Sequence, residues 1–293
     1  MFRYNAANTG TNPDETGPKN SISEQWSYET GAEVLSSPVV VGATVYVGSQ
    51  DSNMYALATE DGTKEWSYET GAEVLSSPAV VGATVYFGSY DNNVYALSAG
   101  DGSKVWSYEL GYRPYSSPAV VNGTAYVGSY DNNVYALSAA DGTEKWSYQT
   151  GDFVKSSPAV VDDTVYIGSG DTNVYAIDAT DGTDQWSFGT DGIVRSSPAV
   201  LDGTLFVGSG DGTVYALDAG DGTEQWSFET DDAVNSSPAV VDGTVYFGSA
   251  DENLYAVDAT TGSEQWSFRT NGAVRSSPAV ADGTVYVGSS DAN

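Results

Sequence analysis

A chain of 293 residues with 40 Asp and Glu against 10 Lys and Arg carries a formal charge of −30, a balance that repels nucleic acid and anionic membrane surfaces. With no His and no Cys, it cannot build a Ser-His-Asp triad, an imidazole- or thiolate-bound zinc, a cysteine nucleophile or a disulfide. Acidic chains are commonly disordered for want of apolar residues, yet 21 Tyr, 8 Phe and 7 Trp predict a folded core beneath an acidic skin.

The chain opens on Met1-Phe2-Arg3-Tyr4-Asn5, which has no signal-peptide h-region. No apolar run approaches the ~18 residues of a membrane span, so no membrane insertion is expected. The sequence reads either as cytoplasmic or as the mature part of an exported protein. From Trp26 onward it is a repeat with a forty-residue step. Trp26, Trp66, Trp106, Trp146, Trp186, Trp226 and Trp266 share one phase, and Ser-Ser-Pro recurs at the same step from Pro38 to Pro278. A fixed period near forty is a repeat architecture in which each unit is one supersecondary element. Thr30–Ser49 and Thr70–Ser89 are nearly identical, as recent duplication or consensus construction would leave them.

In the sixth copy, Ser236–Val241, Thr244–Ser249, Asn253–Asp258 and Glu264–Thr270 are rich in Val, Tyr, Phe and Thr, with Gly, Asp and Asn in the breaks, and so read as strands. Asp202-Gly203 and Asp242-Gly243 suit type I′ hairpin turns. Four antiparallel strands per unit and seven units predict an all-β fold, a seven-bladed β-propeller. It would be one domain over residues 1–293, with blades at about 36–70, 76–110, 116–150, 156–190, 196–230 and 236–270, the last formed by 276–293 plus 1–30. The last unit stops after two strands, and joining Asp291-Ala292-Asn293 to Met1 aligns Asn5-Ala6 with Asp258-Ala259. The amino end is therefore expected to supply the missing strands and close the ring, removing two exposed sheet edges. Against this stands the reading of Met1–Asn20 as a loose lead.

The pattern Ala256-x-Asp258-x-x-Thr261-Gly262-x-x-x-Trp266 is similar to the tryptophan-docking motif of the pyrroloquinoline-quinone (PQQ) repeat family. That family includes quinoprotein alcohol dehydrogenases, bacterial outer-membrane assembly lipoproteins and many archaeal repeat proteins. The resemblance covers essentially the whole chain. It implies that each Trp packs between neighbouring blades, and it points to an extracytoplasmic or cell-surface location. Asp178 and Asp218 match the motif, whereas Ala58, Ser98 and Ser138 occupy the Asp position in the first three blades, where docking is expected to be weaker or different. The acidic composition also resembles that of proteins from salt-accumulating archaea, hence a halophilic reading.

Function is sought at the phase that breaks the monotony. The residue before each Ser-Ser-Pro reads Leu35, Leu75, Tyr115, Lys155, Arg195, Asn235 and Arg275, and Arg113 lies two residues before Tyr115. In a repeat protein the phase that varies is the natural place for an asymmetric site. Lys155, Arg195 and Arg275 would suit a carboxylate or phosphate, with Leu35, Leu75 and Tyr115 as an apolar wall. The competing reading is that these cations merely neutralise nearby acids. Asp51, Asp91, Asp131, Asp171, Asp211, Asp251 and Asp291 form a second ring. Their Asp-x-Asn turns look like the start of a calcium loop, but such a loop needs about six to eight oxygens, and turn-capping explains them better. No metal site is expected.

The PQQ dehydrogenases of the family carry a catalytic Asp and calcium-binding Glu and Asn on elaborated loops, and the constant step here leaves no room for such loops. The expectation is a monomeric, non-catalytic scaffold without cofactor, binding a protein or a small anionic ligand at the channel mouth. The alternatives are a PQQ- and calcium-binding dehydrogenase relic, and an adaptor working through its outer blade edges.

Overall fold

The computed structural model describes Asn5 and residues 23–291. Six four-stranded antiparallel sheets and one two-stranded sheet follow one another along the chain, each meandering from first strand to fourth. The fold is a seven-bladed β-propeller with six blades complete and a partial seventh. From residue 23 on, the residues fall into two compact units divided between Lys155 and Ser156, and Asn5 goes with the second. The first holds three sheets, beginning with the strands Val39–Val41, Thr44–Gly48, Asn53–Ala58 and Lys64–Glu69. The second holds three more and the pair Ala279–Ala281 and Thr284–Tyr286.

Each sheet is built as its sequence directs. In the sixth copy the strands are Ala239–Val241, Thr244–Gly248, Asn253–Asp258 and Glu264–Arg269. The first is three residues shorter than the pattern predicts. Pro238 has no N–H for a ladder, and Ser236 turns its Oγ to accept from Gly248 N–H at 2.7 Å. Asp202-Gly203 and Asp242-Gly243 take positive φ at both positions, 50° and 77°, 48° and 74°, as type I′ turns require. Against the fourth strand the register slips: Ala256 and Val257 of the third pair with Trp266 and Glu264, which leaves Gln265 unpaired. The residue between them bulges out, and bulges of this kind re-aim the neighbouring side chain.

The apolar core lies between sheets. Tyr86, Val94, Ala96 and Trp106 of the second sheet cluster with Val120, Ala125, Val127 and Leu137 of the third. Tyr166, Val174 and Trp186 meet Leu205, Val207 and Leu217 in the same way in the second unit. Fourth strands are mostly exposed, and their Trp is the side chain they bury.

The indoles are held by a shared geometry. Trp26 Nε1 donates to Thr59 O at 2.8 Å, Trp66 to Ala99 O at 3.0 Å, Trp106 to Ala139 O at 3.0 Å, Trp186 to Ala219 O at 3.0 Å and Trp226 to Ala259 O at 2.9 Å. Each acceptor is a main-chain carbonyl of the following sheet, so the side chain at the Asp position is not needed for the bond. This corrects the expectation of weaker docking in the first blades, where Ala58, Ser98 and Ser138 replace Asp. The aspartates present cap their own turn instead: Asp258 Oδ1 accepts from the N–H groups of Thr260 and Thr261 at 3.0 and 2.9 Å. In several blades a tyrosine shares the carbonyl, Tyr46 with Ala99 and Tyr166 with Ala219, using both of its lone pairs.

Of the two strands expected to close the last blade, the third falls in residues 1–22, outside the described residues except for Asn5, and the Trp26 segment expected as the fourth is described over residues 23–30 and forms no strand with the last sheet. Asn5 lines a pocket with Val161, Tyr166, Leu201 and Ala219 of the fourth and fifth sheets, so the described residues supply no third strand to the last sheet. Trp266, in the fourth strand of the sixth sheet, is 40% exposed.

Candidate functional site

Two loops of each blade run side by side, the one carrying Ser-Ser-Pro and the one carrying Asp-x-Asn. Main-chain bonds join them, such as Tyr90 N–H to Glu73 O at 2.8 Å and Tyr130 N–H to Arg113 O at 3.0 Å. Ser-Ser-Pro has two structural jobs that the sequence did not disclose. Its first Ser closes on its own blade, as Ser76 Oγ does by accepting from Gly88 N–H at 2.7 Å. The second reaches the next blade: Ser37 N–H donates to Ser77 Oγ, Ser77 to Ser117, Ser197 to Ser237 and Ser237 to Ser277, each at 2.9 Å. These small residues make a firm floor under the variable position that precedes them.

The Asp ring is the second support. Asp91 Oδ1 accepts from the N–H and the amide of Asn93 at 3.0 and 3.2 Å, and Oδ2 accepts from Gly71 N–H at 2.7 Å and Tyr95 OH at 2.6 Å. Asp51 repeats the arrangement. Four donors saturate a carboxylate's lone pairs, so this ring fastens loops. Burial works to raise the Asp91 carboxyl, and hydrogen bonds from Tyr95, Gly71 and Asn93 outweigh it, holding the group below the ordinary aspartate range. A depressed carboxyl contributes stability that is complete above the unfolded pKa and lost as pH falls through the folded one. Asp91→Asn would turn an amide donor on two donors, and is expected to destabilise by about 1–3 kcal/mol at neutral pH. The gap from wild type should close as pH falls below about 3.9, measured by urea titration at a series of pH values.

On this floor the first unit gathers an aromatic and cationic cluster. Lys155 Nζ lies 4.2 Å from the ring centroid of Tyr115. Arg113 Cζ lies 4.8 Å from the Tyr90 centroid and 5.5 Å from that of Tyr112. The rings run on from one another: Tyr90 to Tyr115 at 5.7 Å, Tyr115 to Tyr130 at 5.4 Å, and Tyr130 stacked on Phe153 at 4.9 Å. Burial, followed by the nearby Tyr115 hydroxyl, pushes the Tyr90 phenol well above its ordinary value against the opposing pull of Arg113. Neither Arg113 nor Lys155 has a carboxylate partner among the described residues, whereas Arg269 pairs with Glu252 at 2.9 Å.

Three sequence candidates, Arg113, Tyr115 and Lys155, are thus brought together. Tyr90, Tyr112, Tyr130 and Phe153 were missed. For Tyr90 and Tyr130 the signal was present: the residue before each turn Asp reads Gln50, Tyr90, Tyr130, Gly170, Gly210, Ala250 and Ser290, a second variable phase on the neighbouring loop. In the second unit Gly170, Gly210 and Ala250 offer no ring at that phase. There Arg195 and Arg275 are exposed, and Asn235 carries a buried Oδ1 with no hydrogen-bond partner. Leu35 is 60% exposed, while Leu75 is half-buried. Among the described residues no three acidic side chains converge as a metal site.

Interlocked four-stranded blades with docked indoles define a propeller of the PQQ-like repeat class. The family described as outer membrane protein assembly factor BamB matches residues 19–117, 114–200 and 171–293, and the chain belongs to it. Among solved structures it is similar to the crystal structure of BamB from Moraxella catarrhalis, at 21% identity and a TM-score of 0.80 over 91% of this chain and 83% of that one. No curated protein matches it.

Proposed function

We propose that the chain is a non-catalytic binding and protein-interaction scaffold working through its Ser-Ser-Pro loops. The residues are Arg113, Tyr115 and Lys155 in the first unit, and Arg195, Asn235 and Arg275 at the matching phase of the second. One observation carries this reading. In a chain with 40 acids and 10 bases, Arg113 and Lys155 rest on tyrosine rings without a carboxylate partner among the described residues. Cations present only to neutralise neighbouring acids would sit on those acids. Cations held on rings keep their charge for an incoming anion. A family named for protein assembly favours a protein as the partner, and the acidic skin fits solubility in concentrated salt.

A quinone centre with calcium is not part of the proposal. The ring of aspartates is committed to hydrogen bonds, and from Trp26 to Trp266 no loop departs from the forty-residue step to bring further ligands. Thermal melting with PQQ and calcium is expected to show no shift, and a saturable shift would revive the dehydrogenase alternative. Lys155→Gln, Arg195→Gln and Arg275→Gln together are expected to weaken binding of a carboxylate or phosphate anion at least about tenfold by calorimetry, since a charge-assisted bond contributes about 1.5–3 kcal/mol. Unchanged binding would remove these loops from the function.

A further inference from the structure

The ring ladder of the first unit has a composition and a spacing that narrow the partner. Its residues come from four loops of neighbouring blades, held by the main-chain bonds of Tyr90 to Glu73, Tyr130 to Arg113 and Val154 to Ser129. The platform is therefore pre-organised and loses little freedom on binding. Tyr and Arg are the residues that dominate protein-interface hot spots, because rigid rings supply large contact area with few torsions to freeze. Successive centroids stand 5.7, 5.4 and 4.9 Å apart. An extended peptide sets its same-face side chains about 6.6 Å apart, a comparable step. The platform side chains themselves bring two positive charges, Arg113 and Lys155, within a chain of net −30, while Asp91 and Asp131, next in the chain to Tyr90 and Tyr130, are held by hydrogen bonds from loop donors. A polyanion would be repelled by the rest of the surface, whereas a short segment with one or two carboxylates meets its complement here and little else.

We propose that Tyr90, Arg113, Tyr115, Tyr130, Phe153 and Lys155 dock an extended, acidic and apolar peptide segment of a partner protein. One or two of its carboxylates bond to Arg113 and Lys155, and alternate apolar or proline side chains lie on the rings. This rests on the interaction-scaffold reading and gives its partner a chemistry.

The test is a library of eight-residue peptides with Glu, Gln or Lys fixed at the centre and apolar or proline flanks, presented to the full chain. The salt is that at which the chain melts highest. Wild type is expected to retain Glu-centred peptides about tenfold better than Gln-centred ones, and Lys-centred ones least. Arg113→Gln with Lys155→Gln should erase that preference without moving the melting temperature. Tyr130→Ala should lower retention of all three classes while the Glu preference remains. Equal retention of the three classes, or a Glu preference that survives loss of both cations, overturns the proposal. If no peptide binds while the second-unit variants Arg195→Gln and Arg275→Gln still weaken anion binding, the peptide inference falls and the scaffold stands. If neither binding nor loss is seen, both fall.

Discussion

Replacing Trp186 by alanine is expected to destabilise the chain by about 3–5 kcal/mol, read from the midpoint and slope of guanidinium unfolding. The indole is 9% exposed. It packs on the ring of Tyr166 at 5.9 Å and bonds across to Ala219 O in the next sheet. Truncation removes its area from the core shared by the fourth and fifth sheets and leaves a cavity that stiff strands on both sides fill poorly. The acceptor is not orphaned, because Tyr166 OH still donates to Ala219 O at 2.9 Å. The loss is therefore one of packing. Trp266 supplies the control. It occupies the same phase and packs on Tyr246 at 5.8 Å, yet is 40% exposed, so Trp266→Ala should cost about 1 kcal/mol or less. Equal losses at the two positions would mean that insertion between sheets adds nothing to blade cohesion.

What could be read from the chain beforehand divides along physical lines. The repeat, the strands and the Asp-Gly turns were legible because they depend on residue type at short range: β-branched runs, turn formers with positive φ, and a proline that interrupts a ladder. The partner of each indole was less so. Sequence suggested that the Asp position decides docking, but the bond goes to a main-chain carbonyl, which every residue carries and no sequence pattern reveals. The cluster at Tyr115 was half legible. Its own phase varies visibly, whereas Tyr90 and Tyr130 reach it from the adjacent loop, and contact between loops depends on how neighbouring blades pack. That Arg113 and Lys155 sit on rings rather than on acids is likewise a three-dimensional fact, in a chain where acids are abundant everywhere.

Gly222→Ala is expected to destabilise by about 2–5 kcal/mol, the sum of left-handed backbone strain of about 1–2 kcal/mol and overpacking of about 1–3 kcal/mol. Gly222 has φ of 73° and turns toward the Trp of the preceding blade: a Cβ there would stand 2.6 Å from Cε3 and 2.7 Å from Cδ2 of Trp186. Gly243 separates the two contributions, having φ of 74° with nothing within 4 Å of a Cβ. Gly243→Ala should therefore show the backbone share alone, about 1–2 kcal/mol. The decisive measurement is Gly222→Ala in the Trp186→Ala background. With the indole gone the added methyl meets no obstacle, so the substitution should fall to the Gly243 level, a coupling of about 1–3 kcal/mol between the two sites. Strict additivity would show that the glycine before the Trp segment is kept for its turn alone. The coupling expected here makes it half of a lock, in which one blade's turn is shaped to receive the ring of its neighbour.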